Sequence, residues 1–290
     1  MRLYTVENGG KEYVAARGAD GRMYTLSSMG IEAADMNDLI DRFDSLKERL
    51  SQKLQESGGG APALPETVRI LAPIPRPRQD LICLGVNYRA HIEETVDVED
   101  FTGKTDAVYF SKRVNLCNAP GGVVPFYDFV DSLDYEVELG VIIGKTAFGI
   151  MPGEAPDHIF GYTIVNDISA RNLQFKHKQW YRGKSLDGYT PMGPCIVTAD
   201  EIKDPRSLRL TCHINGQKRQ DSSTAYMITT VEEAVAELSQ GMTLQPGTVI
   251  ATGTPGGVAL GMKPPVYLKS GDVIRCEISE IGVLENTVGE

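Results

Sequence analysis

The chain has 290 residues, 41% hydrophobic and 23% charged, with a formal net charge of −10 at pH 7. That composition is ordinary for a globular protein, and the length suits one large domain, or a large and a small one, around a sizeable core. The negative balance argues against nucleic acid or an anionic membrane as the partner, but a small anionic substrate held through a local cation cluster or a metal remains compatible with it. Residues Met1 to Glu7 have no apolar leader core, and no apolar run is long enough to span a bilayer. The cysteines are five, odd in number, widely spaced and without a C-x-x-C pair. A reducing compartment is therefore expected, which suggests a cytoplasmic chain without disulfides or thiolate-held zinc. Cys83, Cys195, Cys212 and Cys276 sit in apolar or β-like stretches and read as buried thiols, whereas the surroundings of Cys117 do not decide its place.

In chain order, residues 1–30 alternate short β-like runs with the turn signals Asn8-Gly9-Gly10 and Gly18-Ala19-Asp20-Gly21, which predicts a small meander. Leu39, Phe43, Leu46, Leu50 and Leu54 then recur at spacings of three and four, one apolar stripe of a helix. Asp35 or Asn37 can cap its start, and Ser57 to Gly60 stops it. Pro62 and Pro65 mark a linker, so residues 1–65 form a small α+β module without a chemical motif, best read as a packing or subunit-contact element. Residues 66–290 follow as a second, mostly β domain. Its predicted strands are Leu81 to Val86, Val108 to Phe110, 135–143, Phe160 to Val165, Cys195 to Thr198, Leu208 to Ile214, Val249 to Thr252 and Val273 to Ile278. A helix is predicted over Val231 to Leu238, with Thr230 and Glu233 as a capping box, and a shorter one over Glu154 to His158.

The chemistry concentrates around the strand at 135–143. Side chains two apart share a strand face, so Glu136 and Glu138 point the same way, roughly 6–7 Å apart, with Tyr135, Val137 and Leu139 opposite. Two such carboxylates repel unless a cation lies between them, and hard oxygen ligands suit Mg²⁺, Mn²⁺ or Ca²⁺. The plainer alternative is a strand with a wet acidic face. His91 and Glu94, three apart, meet on one face of a helical turn, where a carboxylate-held imidazole makes a general base. Asp167 ends an apolar strand and is available as a third ligand; a turn aspartate is the alternative. Gly183-Lys184-Ser185 imitates a phosphate loop, but Lys178 stands where that motif requires glycine, so the nucleotide reading fails. A lysine near a metal would instead stabilise an oxyanion or enolate. Gly253-Thr254-Pro255-Gly256-Gly257 is a tight loop after a strand, suited to turning backbone amides toward an anion.

Together and in this order these motifs resemble the fumarylacetoacetate hydrolase family, in its bacterial-type catalytic domain, over roughly residues 75–288. The carriers are 85–91 (Gly-Val-Asn-Tyr-Arg-Ala-His), 134–139 (Asp-Tyr-Glu-Val-Glu-Leu), 166–171 (Asn-Asp-Ile-Ser-Ala-Arg), Gly183 to Asp187 and Gly253 to Gly257. The resemblance implies a mainly β, α+β fold: a mixed β-roll catalytic domain preceded by the small N-terminal module. It implies one Mg²⁺ or Mn²⁺ ion held by Glu136, Glu138 and Asp167, with His91 and Glu94 as a water-activating dyad and Lys184 as the lysine beside the metal. It places Arg171, Gln174, Thr254 and Gly253 around the substrate's carboxylate and keto oxygens, makes 92–106 a lid, and makes a homodimer the expected assembly. The expected reaction is cleavage of a small 2-oxo or 1,3-dicarbonyl acid, by acylpyruvate-type hydrolysis or oxaloacetate-type decarboxylation through an enolate. Keto–enol or double-bond isomerisation of a hydroxymuconate-type dienoate is the alternative within the same apparatus. A β-rich module with a structural Ca²⁺ is the non-enzymatic one, although His91 and Lys184 would have no use there.

Overall fold

The N-terminal meander is present and is built into a much larger sheet. In the computed structural model, which describes residues 1–95 and 108–290, strand Arg2–Asn8 pairs with Lys11–Arg17, and that strand with Met23–Thr25. The first turn places Gly9 and Gly10 at φ 60° and 76°, where a Cβ would be strained. On its other side Arg2–Asn8 hydrogen-bonds to Met192–Thr198. From there the sheet continues through Ile159–Asn166, Val137–Ile143, Val249–Ala251, Leu81–Gly85 and Val108–Lys112, with Arg69–Leu71 paired to Arg2–Asn8, ten strands in all. A second, five-stranded sheet runs Gln217–Ser223, Arg209–Ile214, Val273–Ile278, Gly282–Gly289 and Val123–Pro125. The fold is mainly β with a few helices, as expected.

Strand Val137–Ile143 is buried along its whole length, which excludes the wet acidic face. Its alternation sorts two cores. Val137, Leu139, Val141 and Ile143 join residues of the five-stranded sheet, whereas Ile142 faces the N-terminal helix. That helix spans Met36–Gln55 and is capped by Asp35, which accepts from Asp38 N at 2.8 Å. Asn37 instead lies within the first turn, its amide donating to the Arg76 carbonyl at 3.3 Å. Leu39, Phe43, Leu50 and Leu54 are buried against the sheet, and Phe43 meets Phe160 edge-on at 4.8 Å. Each such side chain contributes about 1.5–3 kcal/mol of burial. The helix stops where Ser57 and Gly58 turn to φ 50° and 86°. The helix Val231–Ser239 carries the predicted Thr230–Glu233 capping box, and the turn near 154 is a 3-10 helix, Pro152–His158.

Two expectations need correction. The strand expected over 135–143 breaks at Tyr135 and Glu136: Leu133–Asp134 pairs separately with Ser169–Ala170, and the regular strand starts at Val137. The break arises because Glu136 N donates to the Asn166 side chain and the Glu136 carbonyl accepts from Asp167 N, which ties this segment to the end of the neighbouring strand. Strands Gln217–Ser223 and Gly282–Gly289 were not predicted; their sequences are polar and alternate weakly. All five cysteines are free and buried, Cys117 included. The expected lid at 92–106 falls largely on 96–107, outside the described residues. Among the described residues no helix is long and apolar enough to cross a membrane.

Candidate metal centre and active site

Glu138 projects from the start of strand Val137–Ile143, on the face opposite Val137 and Leu139, and Glu136 from the break just before it. Asp167 follows the last residue of strand Ile159–Asn166, whose Val165 stands opposite Glu138 in register. The sheet thus brings the carboxylates together. Ligand atoms of Glu136, Glu138 and Asp167 lie within 4.8 Å of one another, and all three side chains are buried.

Among the described residues three buried cations, Lys184, Lys112 and Arg171, bond these carboxylates. Lys184 Nζ lies 2.6 Å from Glu136 Oε2 and 2.6 Å from Asp167 Oδ2. Lys112, fully buried at the end of strand Val108–Lys112, donates to Asp167 Oδ1 and to the Ile168 carbonyl. The Arg171 guanidinium pairs with Asp134 Oδ2 at 2.8 Å and with Glu136 Oε1 at 2.7 Å, and donates to Gln174 Oε1 at 2.9 Å. Burial opposes ionisation of Glu136, but Lys184 and Arg171 outweigh it and pull its carboxyl down to about 2. Among the described residues no cation pairs directly with Glu138, which accepts from the Gly253 amide. Burial, and then the charges of Asp167 and Glu136, push it well above the usual carboxylate range.

His91 stands on the short helix Arg89–Glu94, its Nδ1 2.9 Å from Glu94 Oε1, as the spacing predicted. The loop after Val249–Ala251 does turn its amides toward anions, and those anions are the protein's own carboxylates. Gly253 N donates to Glu138 at 2.8 Å and Gly257 N to Glu94 at 2.6 Å, while Ala259 N and Leu260 N donate to Asp134 at 2.8 and 3.0 Å. Gly253 is required by conformation, at φ 92° with a would-be Cβ 2.9 Å from the Leu84 carbonyl oxygen. Gly183 serves packing. A Cβ there would lie 2.5 Å from Gln174 N, so its absence lets the turn carrying Lys184 close onto the helix Arg171–Lys176.

His91, Glu136, Glu138, Gln174, Lys184 and Thr254 line one small cavity together with Val86, Phe110 and Trp180. Phe110 and Trp180 meet edge-on at 5.2 Å. Of the four residues expected around substrate oxygens, Gln174 and Thr254 reach this cavity. Arg171 is instead committed to Asp134, Glu136 and Gln174, and the Gly253 amide to Glu138. The Thr254 hydroxyl donates to the Val137 carbonyl at 3.0 Å and accepts from Gln220 at 2.7 Å, so it has a lone pair but no proton left to offer.

Sequence reasoning missed Lys112, Asp134 and Gln220. Lys112 left a faint trace as a lysine closing the β run from Val108, and Asp134 lay inside a quoted motif without a role. Gln220, on an unpredicted strand, gave no signal.

The donor set suits a hard divalent ion: carboxylate oxygens from two adjacent strands, buried, each with an oxygen turned inward. The family model described as Fumarylacetoacetate (FAA) hydrolase C-terminal matches residues 80–289. The chain is 45% identical over 223 residues to oxaloacetate tautomerase YisK of Bacillus subtilis, covering 77% of this chain and 73% of that one. It resembles the structure of the fumarylacetoacetate hydrolase from Exiguobacterium antarcticum with a TM-score of 0.86 and 38% identity, covering 100% and 99% of the two chains. It also resembles maleylpyruvate hydrolase from Sphingobium sp. SYK-6 in complex with manganese(II) and pyruvate, at a TM-score of 0.78 and 27% identity, covering 100% and 99%. The fold is thus shared with a group of enzymes that act on small molecules. This chain belongs to the fumarylacetoacetate hydrolase family.

Proposed function

We propose that this chain is a divalent-metal-dependent tautomerase of a short 2-oxo dicarboxylate, with oxaloacetate as the test substrate. One observation carries the reading: a carboxylate-held imidazole, a buried lysine and Glu136 and Glu138 line the same small cavity, with Asp167 clustered against the two glutamates. The likeness to an oxaloacetate tautomerase supplies the substrate class.

Glu136, Glu138 and Asp167 would hold one Mg²⁺ or Mn²⁺. The ion would supply Lewis-acid polarisation of the substrate's 2-oxo and carboxylate oxygens. The remaining chemistry belongs to this chain's side chains. Glu94 accepts from Nδ1 of His91 and so keeps the neutral ring's lone pair on Nε2. His91 takes a proton from C3 of the 2-oxo acid while the C2 oxygen gains charge. Lys184 steadies that oxygen, which then receives a proton to give the enol; the reverse sequence restores the ketone. Gln174, with its carbonyl oxygen held by Arg171, has its amide protons to offer to a substrate carboxylate. Thr254 offers a lone pair, a partner for the hydroxyl of an enol rather than for an anion. Val86, Phe110 and Trp180 supply apolar lining to the cavity, so the charges act at short range in a poorly screened site.

Hydrolytic carbon–carbon cleavage of an acylpyruvate is the second reading. It is favoured by the same dyad, which can equally direct water to a carbonyl, and by the likeness to a maleylpyruvate hydrolase. One experiment separates them. Keto–enol exchange of oxaloacetate is followed by ultraviolet absorbance with Mg²⁺, with Mn²⁺ and with chelator, beside pyruvate release from oxaloacetate and from acetylpyruvate. Metal-dependent exchange without pyruvate release supports the tautomerase; rapid pyruvate release with no faster exchange sinks it.

A further inference from the structure

Each of the three clustered carboxylates has one oxygen fixed by a donor of this chain. The Arg171 guanidinium lies on Glu136 Oε1, Lys112 on Asp167 Oδ1, and the Gly253 amide on Glu138 Oε2. The second oxygens, Glu136 Oε2, Asp167 Oδ2 and Glu138 Oε1, are what the three residues can still give to an ion. Two of these are in the grip of Lys184, at 2.6 Å each.

We infer that Lys184 and the divalent ion compete for Glu136 Oε2 and Asp167 Oδ2, so that loading the centre turns the Lys184 ammonium out toward the cavity. The inference rests on the metal-centre reading given above. Its physical basis is simple. An ion that draws these oxygens to about 2.0–2.6 Å would stand almost in contact with an ammonium bonded to the same atoms, inside a buried, weakly screened site. One cation must yield, and the lysine has somewhere to go. Its side chain already lines the cavity, and its Nζ stands 5.3 Å from the centroid of the Phe110 ring, whose face attracts a cation.

Lys112 has no such freedom. It binds the Asp167 oxygen that is not presented and also donates to the Ile168 carbonyl at 3.1 Å. The two lysines thus share one carboxylate in different ways: Lys112 sets its orientation, while Lys184 keeps its other oxygen neutralised until an ion arrives. The exchange also imposes an order, since the ammonium that steadies the substrate's oxygen becomes available once the ion is in place.

The test needs no turnover. Chelator-stripped wild type, Lys184→Met and Lys112→Met are titrated with Mn²⁺ by calorimetry and by the loss of the free-Mn²⁺ paramagnetic resonance signal. Both variants remove one buried positive charge beside Asp167, but only the first removes a competitor. Lys184→Met should bind Mn²⁺ more tightly than wild type, and its gain should exceed that of Lys112→Met by about tenfold or more, the weight of one charge-assisted hydrogen bond. If Lys184→Met does not fold, Lys184→Gln is read in its place. Equal gains in both variants, or weaker binding in the Lys184 variant, would overturn the competition alone. Failure of the wild type to bind Mn²⁺ would overturn it together with the metal centre.

Discussion

Glu94 divides its carboxylate between His91, whose Nδ1 lies 2.9 Å from Oε1, and the backbone of the loop at 257, where Gly257 N lies 2.6 Å from Oε2. The imidazole is therefore oriented by a residue that is itself oriented by main chain. Glu94→Gln can keep the bond from Gly257 but would turn an amide N–H toward Nδ1, the wrong partner for a ring that must carry its proton there. Turnover should fall by about 10²–10⁴-fold, while Mn²⁺ affinity stays at the wild-type value. Steady-state rates beside a metal titration check this; a matching loss of affinity would place Glu94 in the metal centre instead.

Glu138 and Glu136 give the protein a pH signature when no divalent ion is supplied. Glu138 is raised in the folded state, so its ionisation costs stability progressively as pH climbs from the ordinary carboxylate range through its raised value. Glu136 is lowered to about 2, so it contributes stability above its unfolded value that is lost as pH falls toward about 2. In chelator, urea-measured stability should peak in mildly acidic solution and decline toward alkaline pH. Added Mn²⁺ should remove that decline. Glu138→Gln should be more stable than wild type in chelator at alkaline pH, by about 1–3 kcal/mol, and should gain nothing from Mn²⁺. A flat wild-type profile would contradict the assignment.

Gly253 joins conformation to ligand orientation. Gly253→Ala forces a Cβ toward the Leu84 carbonyl and the Asn87 side chain at φ 92°. A stability loss of about 1–3 kcal/mol is expected from the strained backbone. Because its amide orients Glu138, Mn²⁺ affinity should fall as well. Denaturant melts and metal titrations measure the two effects separately, and a variant with lowered stability but unchanged affinity would deny the amide its role.

The cysteines should be silent in the native protein. Burial raises the thiols of Cys83, Cys195 and Cys212, and Cys117 to about 12, and the thiolate is the reactive form. Ellman's reagent at neutral pH should find no rapidly reacting thiol in the folded chain and all five in denaturant. Fast native labelling at Cys117 would contradict its burial.

The sequence was most readable where a side chain's role depends on near neighbours. His91 and Glu94 are one helical turn apart, Thr230 and Glu233 form a local box, and the stripe from Leu39 to Leu54 is periodic. Glu136 and Glu138 were recognised as a pair although the strand carrying them breaks between residues 134 and 137, because the break leaves both carboxylates turned inward. What could not be read was long-range. Lys112 meets Asp167 from a strand on the far side of the sheet order, Asp134 serves both Arg171 and the loop at 259, and Gln220 reaches across from the other sheet. No spacing along the chain records such meetings. Arg171 and Gly253, expected at the substrate's oxygens, bond Asp134, Glu136 and Glu138, while Gln174 and Thr254 line the cavity.

The turn from Gly253 to Leu260 steadies the carboxylates of Glu138, Glu94 and Asp134 through backbone N–H groups. A peptide N–H is the same in every residue but proline, so the wording of that turn is free to drift at half-buried Leu260 wherever its path through space is kept, whereas Val258 and Ala259 are fixed by burial. Descendants of this protein could therefore acquire new tastes in substrate by changing the side chain at Leu260, which packs against the Val86 and Trp180 cluster beside the cavity, without rebuilding the reaction underneath.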